Sequence, residues 1–217
     1  MASPQVITEI HYFTGSATPP AGSVAGLTVN VVTKENLRFK RADNSTVDYL
    51  NTIPIGATTI NYSWRKHLLL YVKEGLQGWL ADLKFFVGTE PSANEETGIW
   101  EDQIVLRCKT VDTYTPASVA DEHTPLSGSV IATMAEGEIV GIADIDHPLP
   151  CWTAFAAAFA AAVPIPEGAS GGNPIPVITG ANSYGFQLFV VLQIGVKPGC
   201  TSDLKKERQL FYRYNVT

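Results

Sequence analysis

Short runs in which apolar and polar residues alternate constrain this chain more than any other feature. In NLRFKRADNSTV (36–47), Leu37 and Phe39 alternate with Arg38 and Lys40. Because successive side chains of a β-strand point to opposite faces, this pattern predicts a half-buried strand with the two apolar residues inward and the two cations outward. Similar runs, separated by glycine and proline, predict further strands over 27–34, 60–72, 80–89, 102–111, 128–135, 137–145, 183–196 and 208–217.

The run INYSWRKHLLLYV (60–72) raises the question of a binding site, because Arg65, Lys66 and His67 are consecutive. At period two, Lys66 shares a face with Tyr62, whereas Arg65 and His67 lie on the opposite face. The three basic side chains therefore do not converge on one ligand. The pattern favours a strand whose charged residues are solvated.

Two further segments depart from simple alternation. The centre of 183–196, LFVVLQI, is apolar on both faces, which predicts a strand in the middle of a sheet covered on both sides. CWTAFAAAFAAAV (151–163) is rich in alanine, the best helix former, and places Phe155 and Phe159 on one helix face. We expect a short helix there, followed by a long loop over 164–176.

These elements predict an all-β fold. Roughly eight to ten strands, one short Ala-rich helix and several long loops fit an antiparallel β-sandwich of jelly-roll or immunoglobulin-like type. A parallel α/β fold would need regular helices between its strands, and the pattern does not provide them. The 217 residues suit a single domain, residues 27–217, preceded by an N-terminal arm, residues 1–26.

Charge and cysteine content narrow the class of protein. The chain has 15 Lys+Arg against 21 Asp+Glu, a net charge of −6, and no basic tract, which argues against binding nucleic acid. Cys108, Cys151 and Cys200 are odd in number and widely spaced, so we expect free thiols in a reducing compartment. Neither a secretory signal nor an apolar run long enough to span a membrane is visible, so we expect synthesis in the cytoplasm and no membrane partner.

Motifs that would carry chemistry are weak. DIDHP (144–148) contains Asp144, Asp146 and His147, which are suitable ligands for a divalent cation, but its turn-forming context favours solvated acids at the end of a strand. No GxSxG, GxxxxGK[ST] or GxGxxG pattern occurs. The sequence therefore predicts no catalytic, cofactor-binding or metal residues, and no cofactor.

Three tryptophans allow two interpretations. Trp79, Trp100 and Trp152 lie near predicted loop edges, where sugar-binding sandwiches place stacking platforms. Burial at the ends of the sandwich is the favoured interpretation, because tryptophan is highly buried on average. The alternative function is a carbohydrate-binding module, and a β-sandwich hydrolase is a third possibility.

The order of several segments carries a further signal. LRFKRADNSTVD is followed by a Pro-Ile pair, then by INYSWRKHLLLYV and LADLKFFVGT, and the chain ends with FQLFVVLQI and LFYRYNV. This order resembles structural proteins of tailed-bacteriophage virions, over about residues 27–115 and the end of the chain. The residues that carry the resemblance lie mostly at strand edges: Arg41, Asp43, Asn44, Val47, Asp48, Pro54, Ile55, Tyr62, Ser63, Lys66, Leu80, Leu83, Lys84, Phe85, Gly88, Arg213 and Tyr214.

The resemblance implies a non-enzymatic virion subunit, made in the host cytoplasm, at the head–tail neck or collar or decorating the capsid. Its partners would be copies of itself and other virion proteins. The expected contact segments are those that a sandwich does not need for folding, namely 1–26, 114–127 and 164–180. An extended arm of this kind can add a strand to the sheet of a neighbour.

Overall fold

In the computed structural model, the residues that the structure describes form eleven strands and one short 3₁₀ helix, Val119–Glu122. The structure describes residues 7–21, 23–33, 37–44, 46, 50–74, 79–88, 104–132, 149–150, 175–176, 184, 187–200 and 209–216. In chain order the strands are β1 (Ile7–Thr14), β2 (Thr28–Val31), β3 (Asn61–Tyr62), β4 (Lys66–Glu74), β5 (Trp79–Gly88), β6 (Ile104–Val111), β7 (Val130–Ala132), β8 (Leu149–Pro150), β9 (Ile175–Pro176), β10 (Phe189–Val196) and β11 (Gln209–Val216).

The strands form two sheets, and every described pair is antiparallel. The larger, seven-stranded sheet has the order β2-β1-β4-β10-β6-β7, with β3 also pairing with β10. The smaller, four-stranded sheet has the order β11-β5-β8, with β9 also pairing with β5. The predicted all-β class with antiparallel sheets is therefore confirmed.

Residues of both sheets pack into one apolar core. Leu83 and Phe85 of β5 are buried in the same cluster as Tyr12 of β1, Leu68 of β4 and Leu192 of β10. Burying a large apolar side chain contributes about 1.5–3 kcal/mol, so this cluster is a main source of stability. The alternation in 80–89 predicts a strand with Leu83 and Phe85 on one face, and that face packs into the core.

Strand β10 lies between β4 and β6 and is buried along nearly its whole length. Val190 and Leu192 face the shared core, whereas Phe189 belongs to a second cluster with Phe13 and Tyr114. We call the side of the larger sheet that carries this second cluster the outer face. Residues between β1 and β2 and after β6 cover part of it. The prediction of a central strand covered on both sides is confirmed.

Two charged segments differ from their predictions. Leu37 and Phe39 pack against the core as expected, but residues 37–44 form no strand and Lys40 is only 4% exposed. The outward orientation predicted for Lys40 is wrong because its Nζ turns back into its own loop and donates to Asn44 Oδ1 at 2.6 Å and to the Thr46 carbonyl at 2.5 Å. A cation with these acceptors does not need water.

The run 60–72 is also interrupted, since residues 63–65 separate β3 from β4. The two faces are as predicted, with Lys66 near the ring of Tyr12 in the core and His67 against Tyr114 on the outer face. The predicted solvation is wrong, because Lys66 is 0% and His67 2% exposed.

The structure describes part of the predicted N-terminal arm. Residues 7–14 form β1, which lies between β2 and β4 inside the larger sheet. This part of the predicted arm is therefore paired with strands of its own chain. The division of the chain into 1–26 and 27–217 stays a prediction.

Other predictions lie partly or wholly beyond what the structure describes. Cys108 and Cys200 are buried, and among the described residues neither forms a disulfide, in line with the prediction. Cys151, the Ala-rich helix over 151–163 and the loop over 164–174 fall outside the described residues.

Candidate functional site

A buried ion pair joins the start of β4 to the loop that precedes β3. Lys66 Nζ donates to the Ala42 carbonyl and to Asp43 Oδ1, both at 3.2 Å, and lies 5.6 Å from the centroid of the Tyr12 ring. Burial lowers the pKa of the Lys66 ammonium, and the neighbouring Asp43 carboxylate acts in the opposite direction. The pair therefore fixes the segment that precedes residue 45 against the sheet.

The second oxygen of Asp43 contacts two more segments. Asp43 Oδ2 accepts from the Gly15 amide at 3.1 Å and lies 3.5 Å from the Tyr114 hydroxyl. Tyr114 also donates to the Gly15 carbonyl at 3.0 Å. Burial, and then the charge of Asp43, raises the pKa of Tyr114, so the phenol keeps its proton at neutral pH. Asp43 thus connects the ends of β1, β4 and the loop after β6.

The 3₁₀ helix is held by a second group of charges, which we call the helix anchor: Arg41, Trp64, Arg65, Asp121 and Glu122. Arg65 Nε lies 3.0 Å from Asp121 Oδ1, and Arg41 forms an ion pair with Glu122. Trp64 Nε1 donates to Glu122 Oε1 at 3.0 Å. Because both acids are buried, these contacts supply the partners that buried carboxylates require.

Substituting Glu122 with glutamine tests the helix anchor. Glutamine keeps the shape and an acceptor for Trp64 but removes the charge that faces Arg41, so we expect the free energy of unfolding to fall by about 1–3 kcal/mol. Urea unfolding followed by tryptophan fluorescence measures this change. Asp112→Asn is the matched control, because Asp112 is exposed. Equal stability of the two variants would contradict a role for the anchor.

Two buried glutamines complete the polar interior. Gln193 Oε1 accepts from the Leu126 amide at 2.7 Å, and its Nε2 contacts the carbonyls of Ser63, Asp121 and Thr124 at 3.2, 3.1 and 3.1 Å. Gln187 in turn bonds both the amide and the carbonyl of Leu70, at 2.8 and 2.7 Å. These side chains satisfy backbone groups that strand pairing leaves open. The two glutamines therefore hold the neighbouring backbone segments in place.

An aromatic cluster occupies the outer face beside these loops. The His11 ring stacks on Tyr71 with centroids 4.6 Å apart, and Tyr184 contacts the same ring edge-on. His11 Nε2 lies 3.3 Å from Glu9 Oε2, and Nδ1 lies 2.8 Å from the Tyr184 hydroxyl. Because a carboxylate only accepts, neutral His11 holds its proton on Nε2 and accepts from Tyr184.

Glu9, His11 and Tyr184 are hydrogen-bonded in the order of an acid–base–nucleophile relay. The surroundings of Tyr184, however, oppose its activation as a nucleophile. Burial, and then the neighbouring Tyr71, raises the pKa of Tyr184 to about 12, so the phenol stays protonated at pH 7. Burial similarly raises the pKa of Cys108 to about 12. Neither group is poised as a nucleophile.

Three apolar side chains are exposed on the two strands at one end of the larger sheet, and we call them the edge patch: Ile7, Val29 and Val31. Their exposed fractions are 40%, 45% and 42%. Val29 and Val31 pair with Phe13 and His11, so they lie on the outer face. The pairing of β1 with β4 shifts its register between Ile7 and Thr8, so alternation does not assign a face to Ile7. Among the described strands, β2 is at the edge of the sheet. The alternation in 27–34 predicts a strand with Val29 and Val31 on one face but carries no signal that both are exposed.

The segments predicted from sequence fare unequally. The segment 114–127 is largely tied to its own sheet, with Tyr114, Asp121, Glu122 and Leu126 buried. Of 164–180, the structure describes only β9. DIDHP (144–148) lies outside the described residues, as do the side chains of Trp79, Trp100 and Trp152. Within the part of the chain that is described, no group of His, Cys, Asp and Glu is arranged to hold a metal ion.

Among the described residues, no helix has the length and apolar character needed to cross a membrane. Comparison of the chain with family models, with curated proteins and with solved structures finds no match.

Proposed function

We propose that this chain is a non-enzymatic structural protein of a tailed-bacteriophage virion, placed at the head–tail neck or collar or on the capsid surface. The proposal includes the finer fold assignment, an antiparallel β-sandwich of jelly-roll or immunoglobulin-like type. Core residues shared between two antiparallel sheets support that assignment. The subunit would act through symmetric contacts with copies of itself and with other virion proteins.

The edge patch is the observation that carries the proposal. Ile7, Val29 and Val31 expose β-branched side chains next to an edge strand, whereas folded proteins commonly protect such edges with charged residues or proline. A neighbouring subunit that covers this edge would also bury the exposed apolar side chains. A stable contact needs about 800 Å² on each partner, so the patch would be the centre of a larger interface.

The internal polar contacts support the same function. Asp43, Lys66 and Gln193 are used to fix loops against the larger sheet rather than to line an open cleft. Loops fixed in this way are preorganised, which lowers the entropic cost of assembly. A rigid subunit of this kind suits a particle in which one contact is repeated many times.

The copy number of the chain in virus particles tests the proposed function. Quantitative mass spectrometry of gradient-purified particles gives the ratio of this chain to the major capsid protein. A ratio set by the capsid lattice supports decoration, and a small ring-like number supports the neck or collar. Absence from the particles would overturn the proposal.

Introducing charge into the edge patch should block assembly without unfolding the subunit. In Val29→Lys/Val31→Lys, two long cations replace apolar groups at the expected interface, so we expect incorporation into particles to fall at least tenfold. Thr28→Lys is the matched control, because Thr28 is exposed on the opposite face of the same strand. Circular dichroism confirms folding of each variant. Normal incorporation of the double variant would remove the patch from the interface.

A carbohydrate-binding module is the second candidate, and the outer-face aromatic cluster favours it. Tyr71 and Tyr184 are half-buried, and their ring centroids lie 5.4 Å apart. Partly exposed rings of this kind can stack on the apolar face of a sugar. Saturable quenching of intrinsic fluorescence by glycans, lost in Tyr71→Ala, would support this candidate over assembly alone.

A further inference from the structure

The contact between Lys66 and Asp43 brings an amine and a carboxyl group together in a buried setting. Lys66 Nζ lies 3.2 Å from Asp43 Oδ1, and the lysine side chain is 0% and the aspartate side chain 12% exposed. The two residues are 23 positions apart in the chain, and neighbouring atoms hold both in place. Two groups held at this distance react with effective concentrations on the order of 10⁵ M or more when their orientation is productive.

We propose that Lys66 and Asp43 form an intramolecular isopeptide bond between Nζ and Cγ. The bond would join the first residue of β4 to the loop that precedes β3. It goes beyond the proposed function and does not depend on it.

The surroundings can accommodate the neutral forms that the reaction needs. Burial disfavours the charge of Lys66, and moving one proton from Nζ to Asp43 leaves both groups neutral. With that proton on Oδ2, the acid donates to the Tyr114 hydroxyl oxygen at 3.5 Å while it accepts from the Gly15 amide at 3.1 Å. The Tyr114 hydroxyl donates its own hydrogen bond to the Gly15 carbonyl. The Oδ2 hydroxyl of neutral Asp43 therefore has hydrogen-bond partners, and the Tyr114 hydroxyl keeps its own acceptor.

The reaction balances without another reagent. The lone pair of the neutral Lys66 amine attacks Cγ of Asp43, and a bond forms between Nζ and Cγ. The bond between Cγ and Oδ2 breaks, and the Oδ2 hydroxyl leaves as water with one proton from Nζ. Oδ1 stays as the carbonyl oxygen of the new amide. Desolvation of a lysine is a recognised way to make it a nucleophile.

A second lysine provides an internal comparison. Lys40 Nζ donates to the Asn44 amide oxygen at 2.6 Å, so it also faces a possible acyl group. Asn44 is exposed, whereas the Lys66 site is closed by the Tyr12 ring and the Ala42 carbonyl. Water competes better at the exposed site. A bond at Lys40 would release ammonia rather than water, so the two bonds differ in mass.

Mass spectrometry of the purified, denatured full chain tests the proposal. We expect an intact mass one water below that of the sequence, and a branched peptide joining Lys66 to Asp43 after proteolysis. Lys66→Met should retain its full sequence mass, whereas Lys40→Met should still lose one water. Asp43→Asn should lose ammonia instead and give the same product as the natural chain.

Three results would overturn the proposal. The first is a natural chain at its full sequence mass, which is decisive even if the variants do not fold. The second is loss of ammonia with a branch at Lys40. The third is loss of water without a branched peptide and with sensitivity to hydroxylamine, which identifies a succinimide at an aspartate.

Discussion

Replacing Gln193 with leucine is expected to lower the free energy of unfolding by about 3–5 kcal/mol. Leucine has a similar volume but leaves the Leu126 amide and the carbonyls of Ser63, Asp121 and Thr124 without the partner that Gln193 gives them. Each buried polar group that loses its partner costs about 1–3 kcal/mol, and the loop can relax to recover part of the total. Gln193 is 0% exposed, so water cannot replace it without opening the loop.

Urea denaturation measures this loss as a lower midpoint with an unchanged slope. Thr124→Ala is the matched control, because it alters an exposed side chain and keeps the carbonyl that Gln193 contacts. We expect the control to stay within about 0.5 kcal/mol of the natural chain. If Gln193→Leu were as stable as Thr124→Ala, the loop after β6 would not depend on this side chain.

Local pattern identified β5 by its alternation and β10 by its continuous apolar run, whereas the equally regular alternation over 36–47 corresponds to no strand at residues 37–44. The shared face of Leu83 and Phe85 and the central place of β10 followed from local pattern alone. Burial of Lys40, Lys66 and His67 did not, because alternation reports the face of a side chain and not what covers that face. Coverage here comes from loops, whose path has no periodic signal.

The residues behind the phage resemblance turn out to have structural roles. Asp43 and Lys66 form the buried ion pair, and the Ser63 hydroxyl accepts from the Ile194 amide at 3.0 Å. Their partners are distant in sequence: Asp43 and Lys66 are 23 positions apart, and Gln193 and Ser63 are 130 apart. Contacts at such separations depend on the tertiary fold, so local reasoning could find the residues but not their pairing.

Lowering the pH from 7 to 5 is expected to cost the folded chain about 2 kcal/mol through His67 alone. Burial, followed by the charges of Arg65, Lys109 and Lys66, lowers the pKa of His67 to about 3, against an ordinary value of 6.5. Between these values the unfolded chain binds a proton that the folded chain does not. The contribution of neutral His67 is therefore complete above pH 6.5 and declines by about 1.4 kcal/mol per pH unit as the pH falls towards 3.

The prediction is measured as the difference in unfolding free energy between the natural chain and His67→Gln at each pH. Glutamine does not titrate but offers an acceptor for the Thr115 amide, which lies 3.4 Å from His67 Nε2. Carboxylates titrate in both proteins, so their effect cancels and the advantage of the natural chain should shrink by about 2 kcal/mol from pH 7 to 5. His123→Gln is the matched control for the same substitution at an exposed position. A difference that stays constant with pH for His67→Gln would mean that His67 takes up the proton in the folded state. The contacts of Tyr114 and Phe189 with the His67 ring would then open more easily than the burial of the ring indicates.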